Sequence, residues 1–135
     1  MSNTDLIIIH WNADGILAHK EELNNFLQTN KIHAVMISET HLKKRNKLKI
    51  PGYQVYRTDR DGDVAAGGTA ILVNENLSHY EVNPPLLEGI EATNIVINIK
   101  DSPKIKLTAV YKRPNQILIK DDLLALFHGE IHRHL

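Results

Sequence analysis

The chain has no cysteine, which excludes disulfide frameworks, thiolate zinc sites and cysteine nucleophiles together. It also lacks a long apolar run: Leu6 to Ile9 is the longest near the start, far too short for a signal-peptide core or a membrane span. A soluble, intracellular location, nucleus or cytoplasm, is therefore expected, with no membrane partner. Net charge is absent too. Sixteen basic residues balance sixteen acidic ones, so no global field draws the chain to nucleic acid or anionic lipid. That counts against a purely electrostatic DNA binder, but not against a site that grips phosphates locally. Internal repeats and low-complexity tracts are missing as well.

What is present is ordinary for a folded protein. With 135 residues, 42% hydrophobic and 24% charged, one domain with a sizeable core is expected, and disorder is not indicated. Residues 6–12 (LIIIHWN) read as a continuous apolar strand of the kind buried on both faces. Past Gly15 a helix is expected at about 19–30, with Leu23, Phe26 and Leu27 on one stripe and Glu21 and Glu22 in its first turn. A second apolar run, 34–38, ends on Glu39. Strand, helix and strand in this order form a βαβ-like or mixed-sheet opening.

From Tyr53 onward the pattern becomes β-rich, with segments at 53–57, 69–73, 79–82, 94–99 and 105–111. Turn signals at Asp61-Gly62, Gly67-Gly68, Pro84-Pro85 and Asp101-Ser102-Pro103 separate them. A last helix is expected from Asp121, capped by that residue, with Leu123, Leu124, Phe127 and Ile131 on one face. The class is α/β or α+β, with a sheet of five or more strands.

Asn12, Asp14 and Glu39 form the sharpest constellation. Two neighbouring strands would deliver them to the same end of one sheet. A hard divalent cation such as Mg²⁺ takes oxygen ligands, keeps several waters and commonly uses only one or two carboxylates. Asp14 and Glu39 meet that need, and Asn12 could orient a phosphate without adding charge. The same residues also spell a turn, since Asn, Asp and Gly are the commonest turn formers, and on spacing alone the turn is favoured. Other features are weaker. The run KKRNKLK, 43–49, could touch a nucleic-acid backbone through Lys43, Lys44 and Arg45, although a solvated loop accounts for it better. His128 and His132 have helical i, i+4 spacing, and His134 follows, but an exposed polar helix face explains them more simply than a metal site. Trp11 needs no explanation beyond core packing.

The string HWNADGI (10–16), followed by VMISETHL (35–42), resembles the opening of the endonuclease/exonuclease/phosphatase superfamily, whose first motifs have the form W-N-x-D-G and Q/S-E-T. IPGYQVYRTDR (50–60), GGTAILV (67–73) and AVYKRPN (109–115) bring it closer to the endonuclease domains of jockey-type non-LTR retrotransposons, in order and over nearly the whole chain. The resemblance implies the N-terminal part of a four-layer α/β/β/α sandwich, deoxyribonuclease I-like, with a mixed, mostly antiparallel sheet and flanking helices. It implies a Mg²⁺- or Mn²⁺-dependent DNA-nicking activity, with Glu39 the principal metal ligand, Asp14 assisting and Asn12 positioning the phosphate. Tyr111 matches the family tyrosine beside the phosphate. Arg113 replaces the first of two prolines and could add a phosphate contact, with Asn115 beyond it.

The family's Asp-x-Asn and Ser-Asp-His-like motifs have no counterpart in the sequence, and a single, truncated domain at 1–135 is expected. Its second β-layer should be missing, and the isolated chain should have little nuclease activity. An uncovered apolar sheet face would then favour self-association. Two alternatives stay open: a non-catalytic, partner-binding remnant, and another superfamily member such as an apurinic/apyrimidinic endonuclease or a phosphatase.

Overall fold

The computed structural model describes residues 5–61 and 65–132, residues 128–132 by backbone alone. Strand β1 (Ile8–Asn12) leads through a single 3₁₀ turn (Ile16–His19) into helix α1 (Lys20–Thr29), and the chain returns as β2 (Ala34–Ser38). β1 and β2 are parallel, in a register that sets Ile8 beside Ala34 and Asn12 beside Ser38. β3 (Tyr53–Thr58) and β4 (Thr69–Asn74) add antiparallel strands, giving a mixed sheet in the order β1-β2-β4-β3. A second, antiparallel sheet follows, β5 (His79–Val82), β6 (Ile90–Ile97) and β7 (Ile105–Lys112) in sequence order, and helix α2 (Lys120–His132) comes last.

Period-two alternation in the strands explains the layering. In β4, Ala70 and Leu72 face α1, where they join Val35, Ile37, Leu23 and Leu27. Ile71 and Val73 point the other way and pack with Ile95, Ile97, Leu107 and Ala109 of the second sheet. Ile90, Ala92 and Val110 occupy the outer face of that sheet beneath Leu123 and Leu126 of α2. The order of layers is helix, sheet, sheet, helix. β4 is buried on both faces and correspondingly reads as an unbroken apolar run.

The interface between the sheets changes character along its length. Ile97 and Ile95 of β6 are fully buried against apolar neighbours. One step on, the Thr93 hydroxyl meets the Thr69 hydroxyl at 2.8 Å and that of Thr58 at 2.9 Å. Two residues further, Glu91 stands beside Tyr111 of β7. The apolar core thus gives way to polar and then charged groups toward one end of the sandwich.

Several expectations are corrected. The strands form two sheets of four and three, not one of five or more. The second β-layer is present in three strands, and it covers the inner face of the first sheet that was expected to lie bare. β1 is half-buried rather than buried on both faces, because it is an edge strand. β6 begins at Ile90 rather than at 94, since Glu91 and Thr93 interrupt the apolar pattern while pairing with β7. Asp121 lies inside α2, and it is the neighbouring Asp122, 4% exposed, whose carboxylate accepts the Glu88 and Gly89 amides at 3.0 and 2.8 Å. Leu123 and Leu126 form the buried face of α2, with Leu124 and Phe127 exposed. The side chains of His128, Ile131 and His132, and all of His134, lie outside the described residues. No helix among the described residues is long and apolar enough to cross a membrane.

Candidate metal and phosphate site

Parallel pairing brings the C-terminal ends of β1 and β2 together. Their hydrogen bonding continues past the strands: Ala13, Gly15 and Ile16 donate their amides to the carbonyls of Ser38, Glu39 and Thr40 at 2.9, 2.9 and 3.0 Å. Over this stretch the backbone takes left-handed conformations at Asp14 (φ 45°), Glu39 (φ 55°) and His41 (φ 55°). Among the described residues only one other non-glycine residue, Asp101, has a positive φ. Such conformations cost about 1–3 kcal/mol each and persist only where surrounding bonds enforce them; the extended ladder does so here. The result is a cluster in which one donor atom from each of Asp14, Glu39 and His41 lies within 4.8 Å of the others. Asn12 Oδ1 accepts the Asp14 amide at 3.2 Å, an Asx turn. The turn and the site are therefore the same piece of backbone.

A second ring of contacts supports the first. His41 and Thr40 donate their amides to the carbonyls of Gly67 and Gly68 at 2.8 and 3.3 Å. The Gly68 amide in turn donates to Glu91 Oε1 at 2.7 Å, and Arg60 Nε donates to Glu91 Oε2 at 2.6 Å. Both glycines have positive φ, 60° and 88°, where a side chain is strained. A Cβ at Gly67 would run into the Arg60 guanidinium, and one at Gly68 into the Thr40 hydroxyl.

Arg60 also lies over the Tyr111 ring, 5.8 Å from its centroid. Tyr111 reaches across from the second sheet to donate its hydroxyl to Glu39 Oε1 at 3.5 Å, a long bond. Burial pushes the Tyr111 phenol up from its ordinary pKa, and the Glu39 charge adds to the effect while Arg60 opposes it. Tyr111 therefore stays a neutral O–H donor at neutral pH.

Asn12, Asp14, Glu39 and Tyr111 come together at one end of the sandwich. Lys43, Lys44 and Arg45 line a hollow of about 210 Å³ with Arg60 and Asp61, and Lys44 pairs with Asp61 at 2.9 Å, both side chains mostly exposed. Arg113 lines a hollow of about 240 Å³ with Glu91 and Tyr111, whereas Asn115 is exposed beyond it. Half-buried Trp11 meets the His19 ring edge-on at 5.9 Å. Their groove, about 570 Å³, runs beside Asn12 and Asp14. The sequence reading missed His41, Arg60 and Glu91. His41 had a signal, standing two residues after Glu39; the other two had none, because their pairing is set by tertiary contact.

No protein-family model matches the chain. Over 110 residues it is 34% identical to the probable RNA-directed DNA polymerase from transposon X-element of Drosophila melanogaster, covering 81% of this chain and 12% of that protein. Over 127 residues it is 27% identical to the RNA-directed DNA polymerase from mobile element jockey of the same species, covering 94% and 14%. The chain thus spans only 12–14% of the length of these relatives. Among solved structures, it is similar to the endonuclease domain of TRAS1, a telomere-specific non-LTR retrotransposon, with TM-score 0.66 and 19% identity, covering 96% of this chain and 54% of that one. It is also similar to the AP endonuclease LMAP from Leishmania major, with TM-score 0.63 and 14% identity, covering 93% and 46%.

Proposed function

We infer that this chain, a deoxyribonuclease I-like relative of jockey-type non-LTR retrotransposon polyproteins, supplies the metal-holding and phosphate-positioning part of a DNA endonuclease. The observation that carries the reading is the convergence of Asp14, Glu39 and Tyr111, from three strand ends and two sheets, on one small volume. The donor set suits a hard divalent cation: two carboxylates close together leave most of the coordination sphere to water and phosphate oxygens. Bound there, Mg²⁺ or Mn²⁺ would supply Lewis-acid polarisation of the scissile phosphate and offset charge that develops during in-line displacement.

The chain's own residues do the rest. Glu39 and Asp14 hold the cation, Glu39 as the principal ligand. Tyr111, kept protonated, offers its O–H to a phosphate oxygen, and Asn12 presents its exposed amide at the same edge. With DNA as the partner, Lys43, Lys44, Arg45, Arg113 and Asn115 would contact the flanking backbone, and affinity would fall with salt. Localisation follows the substrate, to nucleus or cytoplasm. The 135-residue chain acts as one domain unit with weak turnover by itself, because its sequence has no counterpart of the Asp-x-Asn and Ser-Asp-His-like motifs that would activate the attacking water and stabilise the phosphate.

Titration with Mn²⁺ followed by electron paramagnetic resonance tests the reading. Glu39→Gln and Asp14→Asn should each weaken binding, Glu39→Gln more. Cation binding indifferent to both would overturn it. Vigorous Mg²⁺-dependent plasmid nicking by the isolated chain, abolished by Glu39→Ala, would instead show the catalytic set to be complete.

A further inference from the structure

We propose that His41 is a third donor to the cation, through Nε2, and that it biases the site away from Mg²⁺ and toward first-row transition ions. The inference rests on the reading of Asp14 and Glu39 as cation ligands. His41 Nε2 lies 3.7 Å from Glu39 Oε1, too far for a hydrogen bond. The separation falls between the about 3 Å of neighbouring and the about 4.2 Å of opposite octahedral donors that metal–ligand bonds of about 2.1 Å set, so a small adjustment brings both atoms onto one ion.

The backbone holds the imidazole in this position. His41 is fixed in the left-handed region at φ 55°, and its amide is tied to the Gly67 carbonyl at 2.8 Å. On its other side the ring lies over Gly15, where an added Cβ would approach Nδ1 to 3.4 Å. Gly15 itself sits at φ 97°, so the ring packs on a backbone turn that favours glycine, while Nε2 faces Glu39. The side chain is 27% exposed, so its donor can exchange water for a cation. An imidazole nitrogen among carboxylates changes the metal preference. Mg²⁺ favours oxygen, dehydrates reluctantly and gains little from it, whereas first-row transition ions accept nitrogen increasingly readily from Mn²⁺ to Cu²⁺.

Pulsed electron paramagnetic resonance on the full chain loaded with Mn²⁺ tests this without a variant. Directly bound imidazole should give nitrogen modulation of the manganese echo. His41→Asn, whose side chain tolerates the left-handed backbone, should abolish that modulation. It should weaken Mn²⁺ binding by at least the roughly tenfold that loss of an outer-shell partner costs, with Mg²⁺ affinity, measured by competition, changed less. A wild-type complex with no bound nitrogen, or Mn²⁺ affinity unchanged in His41→Asn, would overturn the proposal. If Glu39→Gln still weakens binding in that case, only His41 is misassigned. If Glu39→Gln has no effect, the cation site itself falls, and the proposal with it.

Discussion

Replacing Glu91 with alanine tests whether the site is braced from behind. The carboxylate accepts from Arg60 Nε and from the Gly68 amide, and the Arg60 and Glu91 side chains are 18% and 20% exposed. Removing one partner of a fully buried pair costs about 3–5 kcal/mol because the other charge is stranded, and an exposed pair is worth less than about 1 kcal/mol. One-fifth exposure puts the Glu91→Ala loss nearer the buried limit, at about 2–3 kcal/mol. For a domain of this length that is a fall of roughly 7–11 °C in melting temperature, read by circular dichroism. Arg60→Met combined with Glu91→Ala should recover part of the loss, leaving a coupling of about 1–2 kcal/mol in the double-mutant cycle. Glu91 makes no hydrogen bond to Asp14, Glu39 or His41, yet the Gly67 and Gly68 carbonyls that hold His41 and Thr40 hang on it through the Gly68 amide. Mn²⁺ binding should therefore weaken alongside stability. A melting temperature within about 2 °C of wild type, or an additive cycle, would refute the bracing argument.

Other perturbations have equally definite expectations. Gly68→Ala places a methyl against the Thr40 hydroxyl at φ 88° and should destabilise by about 1–3 kcal/mol in urea titration, whereas Gly52→Ala, also at positive φ but facing open space, should cost less. Leu72→Ala, at a fully buried position between α1 and the first sheet, should cost about 2–5 kcal/mol by chemical denaturation. Burial raises the phenol pKa of Tyr53 and Tyr56 above the 10.0 of the unfolded chain. Their contribution to stability is thus complete below that value and lost as pH rises through the folded pKa. Alkaline unfolding followed by fluorescence should shift to higher pH in Tyr53→Phe, despite loss of the hydrogen bond from its hydroxyl to the Ile32 carbonyl at 2.8 Å.

The difference between what residue patterns reveal and what they hide is visible in single strands. β2 was legible to the residue, Ala34–Ser38, because a central parallel strand buried on both faces is an uninterrupted apolar run. β6 was not, because its first half carries Glu91 and Thr93 on the face turned toward the other sheet. An acid in a strand ordinarily marks the solvent face, and only the packing of two sheets turns it inward. The same limit applies to the division into two sheets: hydrophobic periodicity says which face of a strand is buried, not which strand lies beside it. The fold class was nonetheless legible, because ordered motifs carried it by resemblance.

The site divides along the same line. Asn12, Asp14 and Glu39 could be named together because parallel pairing of two short runs is enough to align their ends. Their environment could not. His41 sits two residues from Glu39, a spacing that puts both on one face of a strand, but β2 ends at Ser38, so alternation does not by itself bring His41 up to Asp14. The left-handed conformations at Glu39 and His41 create that approach, and the carbonyls of Gly67 and Gly68 help to hold it. The glycine pair in GGTAILV is therefore more than a turn before β4. It is the point where Thr40, Arg60 and Glu91 meet the backbone, and the strained backbone at Glu39 and His41 is braced by an ion pair that joins the loop after β3 to β6 of the second sheet. The second sheet thus helps to fix the backbone where the first sheet's β1 and β2 end.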